Sequence, residues 1–207
     1  MKKILPFLMI LMVLFTFVAC DNGNGGGDEG ITSIDKEKET VAASFADCTT
    51  VLDSETEITI SDGNWTVKAF MSFDEMGMQQ GMTAKATAEG GVFTFTSGSS
   101  KATVDYAVML KDSPEALEML KQLSDEEKTA MMSESEEMLE GATVEWDGLK
   151  ATMSVPLGEE DLAEMQEEMD FSTLPEDAVV KTNDDNTKYV IIIEDDGKKE
   201  EYYISKD

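Results

Sequence analysis

The run Trp65-Thr66-Val67-Lys68-Ala69-Phe70-Met71-Ser72-Phe73 decides the fold, because it opens a stretch in which the apolar period is two. Met82–Ala88, Val92–Thr96 and Ala102–Leu110 continue it, with Phe93 and Phe95, then Val104, Tyr106 and Val108, at alternate positions. Alternation of this kind marks half-buried strands. Glu89-Gly90-Gly91 and Ser97-Gly98-Ser99-Ser100 supply turns between them, which predicts an antiparallel meander. Glu57–Ile60 lies across Asp62-Gly63 from the opening run, a hairpin signal.

Outward from this meander the period changes. Ile34, Val41, Phe45, Cys48 and Leu52 recur at helical spacing, which predicts an N-terminal helix over 34–52 capped by Ser33 or Asp35. Beyond Leu110, Ser113-Pro114 starts a helix with Leu117, Leu120 and Leu123 in a stripe. The capping box Ser124-Asp125-Glu126-Glu127 starts another through Met131, Met132, Met138 and Leu139 to Gly141. Thr143–Trp146 and Leu149–Val155 pair across Asp147-Gly148, and Glu159–Met169 is helical with Leu162, Met165 and Met169 on one side. Ala178–Lys181, Lys188–Glu194 and Glu201–Ile204 return to strands. The expected fold class is α+β, a mainly antiparallel sheet with an N-terminal helix and helical insertions. Ten strand candidates are enough for the sheet to curl toward a barrel.

Before this domain stands a leader. Lys2 and Lys3 precede an almost unbroken apolar segment from Ile4 to Val18, and Ala19 precedes Cys20. That is the layout of a secretory signal. Its apolar part reaches only about 22 Å as a helix, against a hydrocarbon core of about 30 Å, so it is read as a targeting segment. Phe17-Val18-Ala19-Cys20 resembles the lipobox of bacterial lipoproteins, with Phe17 where that family usually has Leu. The resemblance implies cleavage before Cys20, lipidation of Cys20, and a protein held on a membrane by its acyl chains. Ordinary signal-peptidase cleavage stays open as an alternative, with the cut after Cys20; Phe17 disfavours a cut after Ala19. In that case Cys20 could pair with Cys48.

The organisation that follows is a signal peptide over 1–19, a lipidated Cys20 and acidic Gly-rich tether over 20–33, and one α+β domain over 34–207. The run Asp21–Gly30 has nothing apolar to bury and, as a coil, reaches about 16–19 Å. The expected location is outside the cytoplasm, anchored to the cell membrane or outer membrane, with the domain in the periplasm or on the cell surface. In enteric lipoproteins, which the lipobox resembles, an acid in the place of Asp21 signals retention on the inner membrane.

Composition narrows the chemistry. All sixteen basic residues are lysines; the chain has no Arg and no His. This removes Ser-His-Asp and Cys-His nucleophiles, His-based zinc sites and bidentate guanidinium clamps. A net charge of −28, made two units more negative by loss of the leader lysines, repels phosphate backbones and anionic headgroups, so no nucleic-acid partner is expected. No cofactor and no metal are expected: Met76-Gly77-Met78-Gln79-Gln80-Gly81-Met82 offers soft thioethers suited to Cu(I), but with no His or nearby Cys beside them.

What remains is binding rather than catalysis. The helix methionines Met131, Met132, Met138, Met165 and Met169, together with Trp65, are the candidate ligand-binding residues, since flexible thioethers make adaptable apolar surfaces. The leading expectation is a noncatalytic lipoprotein that binds a hydrophobic ligand or an envelope protein. A structural or surface-interaction lipoprotein without a pocket is the alternative. A carboxylate-based hydrolase, with Trp65 and Trp146 as sugar platforms, is the third. Gly63-Asn64-Trp65 also resembles the G-x-W at the start of lipocalins, a one-tripeptide match from which the long helical insertion departs.

Overall fold

The computed structural model describes residues 33–53, 58–73, 76–133, 142–168, 174–175, 177–195 and 198–207. Nine strands form one antiparallel sheet: β1 Thr50–Leu52, β2 Gly63–Phe73, β3 Met78–Glu89, β4 Val92–Asp105, β5 Thr143–Asp147, β6 Lys150–Pro156, β7 Val179–Thr182, β8 Lys188–Asp195 and β9 Lys198–Lys206. Their order is β1-β7-β8-β9-β2-β3-β4-β6-β5. The helices are α1 Ile34–Ser44, α2 Tyr106–Met109, α3 Pro114–Gln122, α4 Asp125–Ser133 and α5 Glu159–Glu168.

The α+β class and the antiparallel sheet stand, and the barrel does not. The sheet is open: β1, three residues long, ends one side of the order and β5 ends the other, so the two edges do not meet. Over the described residues 58–60 the strand expected before Asp62-Gly63 does not form, and β2 takes β9 and β3 as its neighbours. Asp62 has a different use, its Oδ1 accepting the Gly90 N–H at 2.8 Å.

Two turns form as the residues dictate. Gly90 and Gly91 both adopt positive φ between Glu89 and Val92, which is the type I′ hairpin geometry. Gly148 at φ 62° leads the Gly148-Leu149 loop, closing the β5–β6 hairpin one residue later than Asp147-Gly148 predicts. The third expected turn is absent. Ser97-Gly98-Ser99-Ser100 lies inside β4, which bulges against β3 between Lys85 and Ala86 and runs on without a break. Gly98 is there for space: a Cβ would come 2.8 Å from Leu157 Cδ1. Residues 106–109, expected as strand, form α2 instead, because Asp105 caps the Ala107 N–H at 2.9 Å and draws the chain into a turn.

The long N-terminal helix over 34–52 is not supported. Only the eleven residues of α1 are helical, with Ser33 capping Lys36 and the chain turning at Phe45. Lys188 stops it, donating to the Ser44 carbonyl at 2.9 Å and pairing with Asp47 at 3.0 Å. Beyond that, Thr50–Leu52 becomes edge strand beside β7.

Alternation sorts the sheet into two faces. The back face carries Phe70, Val190 and Tyr203, on which α1 packs through Ile34 and Val41 and the turn after it through Phe45 and Cys48. Lysines bind α1 down: Glu37 sits between Lys68 at 3.2 Å and Lys101 at 2.7 Å, and Glu201 pairs with Lys38 and Lys199. The front face carries Trp65, Val67, Ala84, Ala86, Tyr189, Ile191, Tyr202 and Ile204, covered by Met165 of α5.

Burial alone would push the Glu37 carboxyl up, but Lys101 and then Lys68 overcome it and hold the group below its ordinary value of 4.5. A lowered folded-state pKa means that the unfolded chain binds the proton more readily, so the contribution is full above about pH 4.5 and is lost as the pH falls through the folded value. Glu37→Gln is therefore expected to melt below wild type at pH 6, with the gap closing as the pH is lowered below 4.5; calorimetry over pH 3–6 checks this.

Candidate functional site

The front face is not uniformly apolar. One end belongs to the Trp65 and Met165 cluster under α5. The other end holds Val104, Tyr106, Leu120 and Ala151, with Leu123, Trp146 and Leu149 packed beside them, under the insertion formed by α2, α3 and α4. Between the two lies a row of cross-strand neighbours: Ile193, Glu200, Met71, Gln80, Ala102 and Met153. All six are buried, yet Met71, Ala102 and Met153 belong to neither apolar cluster.

Two members of this row, Glu200 and Gln80, are polar. Tyr202, two residues along β9 and so on the same face, donates its hydroxyl to Glu200 Oε2 at 2.6 Å. Lys198, on the same face again, pairs with Glu200 Oε1 and lies over the Phe73 ring. A buried carboxylate is tolerable only when paired in this way. The result is a seam of Ile, Met and Ala with an ion pair, a phenol and an amide along it. Ligand sites generally combine an apolar lining with a few fixed polar groups.

Those residues singled out from sequence that the structure describes fall on the two flanks of the seam. Trp65 has 0% exposure; its rings pack on Phe93 and Tyr189, and its Nε1 donates to the Ser61 carbonyl at 2.9 Å. Met165, at 2% exposure, closes the same cluster from α5. Met131 is 41% exposed on α4, and Met132 follows it in that helix. Met138, Met169 and Cys20 lie outside the described residues. Of the heptapeptide methionines, Met76 is exposed, while Met78 and Met82 pack into different clusters. No group of three or more Cys, Asp or Glu suited to a metal ion occurs among the described residues.

Glu200, Tyr202, Gln80, Met71 and Met153 were missed because no motif marks them. A signal was present in the alternation itself: counting back by two from Ile204 through Tyr202 arrives at Glu200, an acid on an otherwise apolar face. Cys48 is no nucleophile. Burial, reinforced by Asp47, pushes its thiol up to about 11.

The insertion is fixed beside the seam by one lysine. Lys128 is buried, donates to Gly148 O at 3.0 Å and Asp125 Oδ1 at 2.8 Å, and lies 5.2 Å from the Trp146 ring centre. Trp146 stacks on Tyr106 and donates its Nε1 to Thr129 Oγ1 at 3.0 Å. Comparison of the chain with protein-family models, with curated proteins and with solved structures finds no match.

Lys128→Met, which keeps the stem and removes the charged donor, is expected to cost about 1–3 kcal/mol in urea unfolding. Asp125→Asn should cost less than about 1 kcal/mol, because the Asp125 side chain is 63% exposed and its pair is screened.

Proposed function

We propose that the chain is a lipid-anchored envelope protein, noncatalytic, whose domain binds an apolar ligand with a polar end along the front-face seam. The observation that carries the reading is the row of buried residues between two apolar clusters, polar at Glu200 and Gln80 and apolar along Met71, Ala102 and Met153. The thioethers supply a lining that adapts to an acyl or ring system, and the Lys198–Glu200–Tyr202 group offers both a cation and acceptors to a head group. The sequence supports the same direction: with no His and no Arg, the usual activated nucleophiles and anion clamps are lacking.

Export and anchoring rest on the leader and on Phe17-Val18-Ala19-Cys20. No helix among the described residues is long and apolar enough to cross a membrane, so attachment in this reading comes through acyl chains on Cys20. A coil of about ten residues and a strongly negative domain would then keep the seam near the membrane and off its surface.

Titration with the neutral fluorophore N-phenyl-1-naphthylamine tests the seam. Saturable enhancement is expected in wild type, with loss of it in Met153→Trp, which fills the seam with a larger apolar side chain; unchanged dye binding in that variant, at an unchanged melting temperature, sinks the seam reading. Mass spectrometry of the protein recovered from membranes tests the anchor, with acylated Cys20 expected as the first residue. Asp21 as the first residue, or Cys20 without acyl chains, excludes it.

A further inference from the structure

We infer that the outer flank of α3 and α4 docks a cationic amphipathic helix. Both helices use their inner sides against the sheet: α3 buries Leu120 in the Val104 and Tyr106 cluster, and α4 is held through Lys128 and Thr129 against Trp146 and Gly148. Met119 and Met131 take no part in those contacts and are 55% and 41% exposed. Each stands one turn after an acid, Met119 after Glu115 and Met131 after Glu127, which places thioether and carboxylate on the same side of each helix.

The charge around them has one sign. The two helices hold Glu115, Glu118, Asp125, Glu126 and Glu127 on exposed positions, against Lys121, which pairs with Glu118, and Lys128, which is buried. Exposed methionines rimmed by carboxylates fit a partner with an apolar stripe and basic flanks, and unbranched thioethers repack to suit its side chains. An anionic lipid surface is the wrong complement, since the same carboxylates repel it. None of these residues belongs to the seam, so the two readings stand or fall apart.

The test uses the full-length chain and a labelled Leu/Lys peptide whose leucines recur at helical spacing, beside an isomer of identical composition with the leucines scattered. Fluorescence anisotropy at physiological salt is expected to show the amphipathic peptide binding about tenfold tighter or more, because a purely electrostatic attraction cannot tell the isomers apart. Met119→Asn combined with Met131→Asn should bring the two affinities together at an unchanged melting temperature. Photo-crosslinking from a leucine position should map to 106–133. Equal affinities in wild type, an undiminished preference in the double variant, or crosslinks elsewhere would each overturn the assignment. The seam variant Met153→Trp should keep the preference; its loss there would move the peptide to the front face and overturn it equally.

Discussion

The ladder between β2 and β9 is the constraint on which the rest of the molecule depends. β2 pairs with β3, its neighbour in sequence, from Gly63 against Ala88 to Phe73 against Met78. On its other side it pairs with β9, from Trp65 against Lys206 to Phe73 against Lys198. These nine pairs splice two meanders into one sheet, β2-β3-β4 on one side and β7-β8-β9 on the other. They also fix which face each residue meets. With Trp65, Val67, Tyr202 and Ile204 turned forward, Lys68, Phe70, Glu201 and Tyr203 must turn back toward α1. A slip of one residue would exchange the two sets.

The same alternation accounts for both polar devices. On the back face, Glu37 and Glu201 each sit between two lysines, so the carboxylates that α1 and β9 bring under cover are compensated. On the front face, Glu200 is held by Lys198 and Tyr202 along one edge of a single strand. The doubled sequence Lys198-Lys199-Glu200-Glu201-Tyr202-Tyr203 therefore divides into two equivalent sets, one per face. Lys, Glu and Tyr appear on both sides for different purposes: docking a helix behind, and marking a seam in front.

Much of the architecture was legible in the residues. Period two over 65–73, Pro114 at a helix start, the Ser124 and Glu127 capping box and the Gly148 hairpin all form. Three local signals were overridden by tertiary contacts and a fourth by a neighbouring cap. Asp62-Gly63 lost its hairpin because β9 occupies the edge that an upstream strand would have taken. Ser97–Ser100 stayed extended because Leu157 and β6 pack along β4. The helix begun at Ile34 was cut short by Lys188, far along the chain, and Tyr106–Met109 was turned helical by Asp105. Of the candidate site residues, Met131 is exposed, whereas Trp65 and Met165, chosen on the same composition signal, are taken up by core packing. Composition reports that a methionine is adaptable and says nothing about whether its face is covered.

The splice has a consequence for the order in which the chain can fold. Each half-meander joins strands near in sequence, but residues 63–73 cannot gain their second neighbour until residues 198–206 exist. Such distant pairing makes closure slow and late, since the loop between the partners must be confined before any ladder bond rewards it. Until then the apolar side of β2 lacks Tyr202 and Ile204. Under the export proposed above, lateness of this kind is an asset. A chain that must thread a translocation channel unfolded, and fold on the far side, is served by a sheet whose centre waits for a strand so distant in sequence.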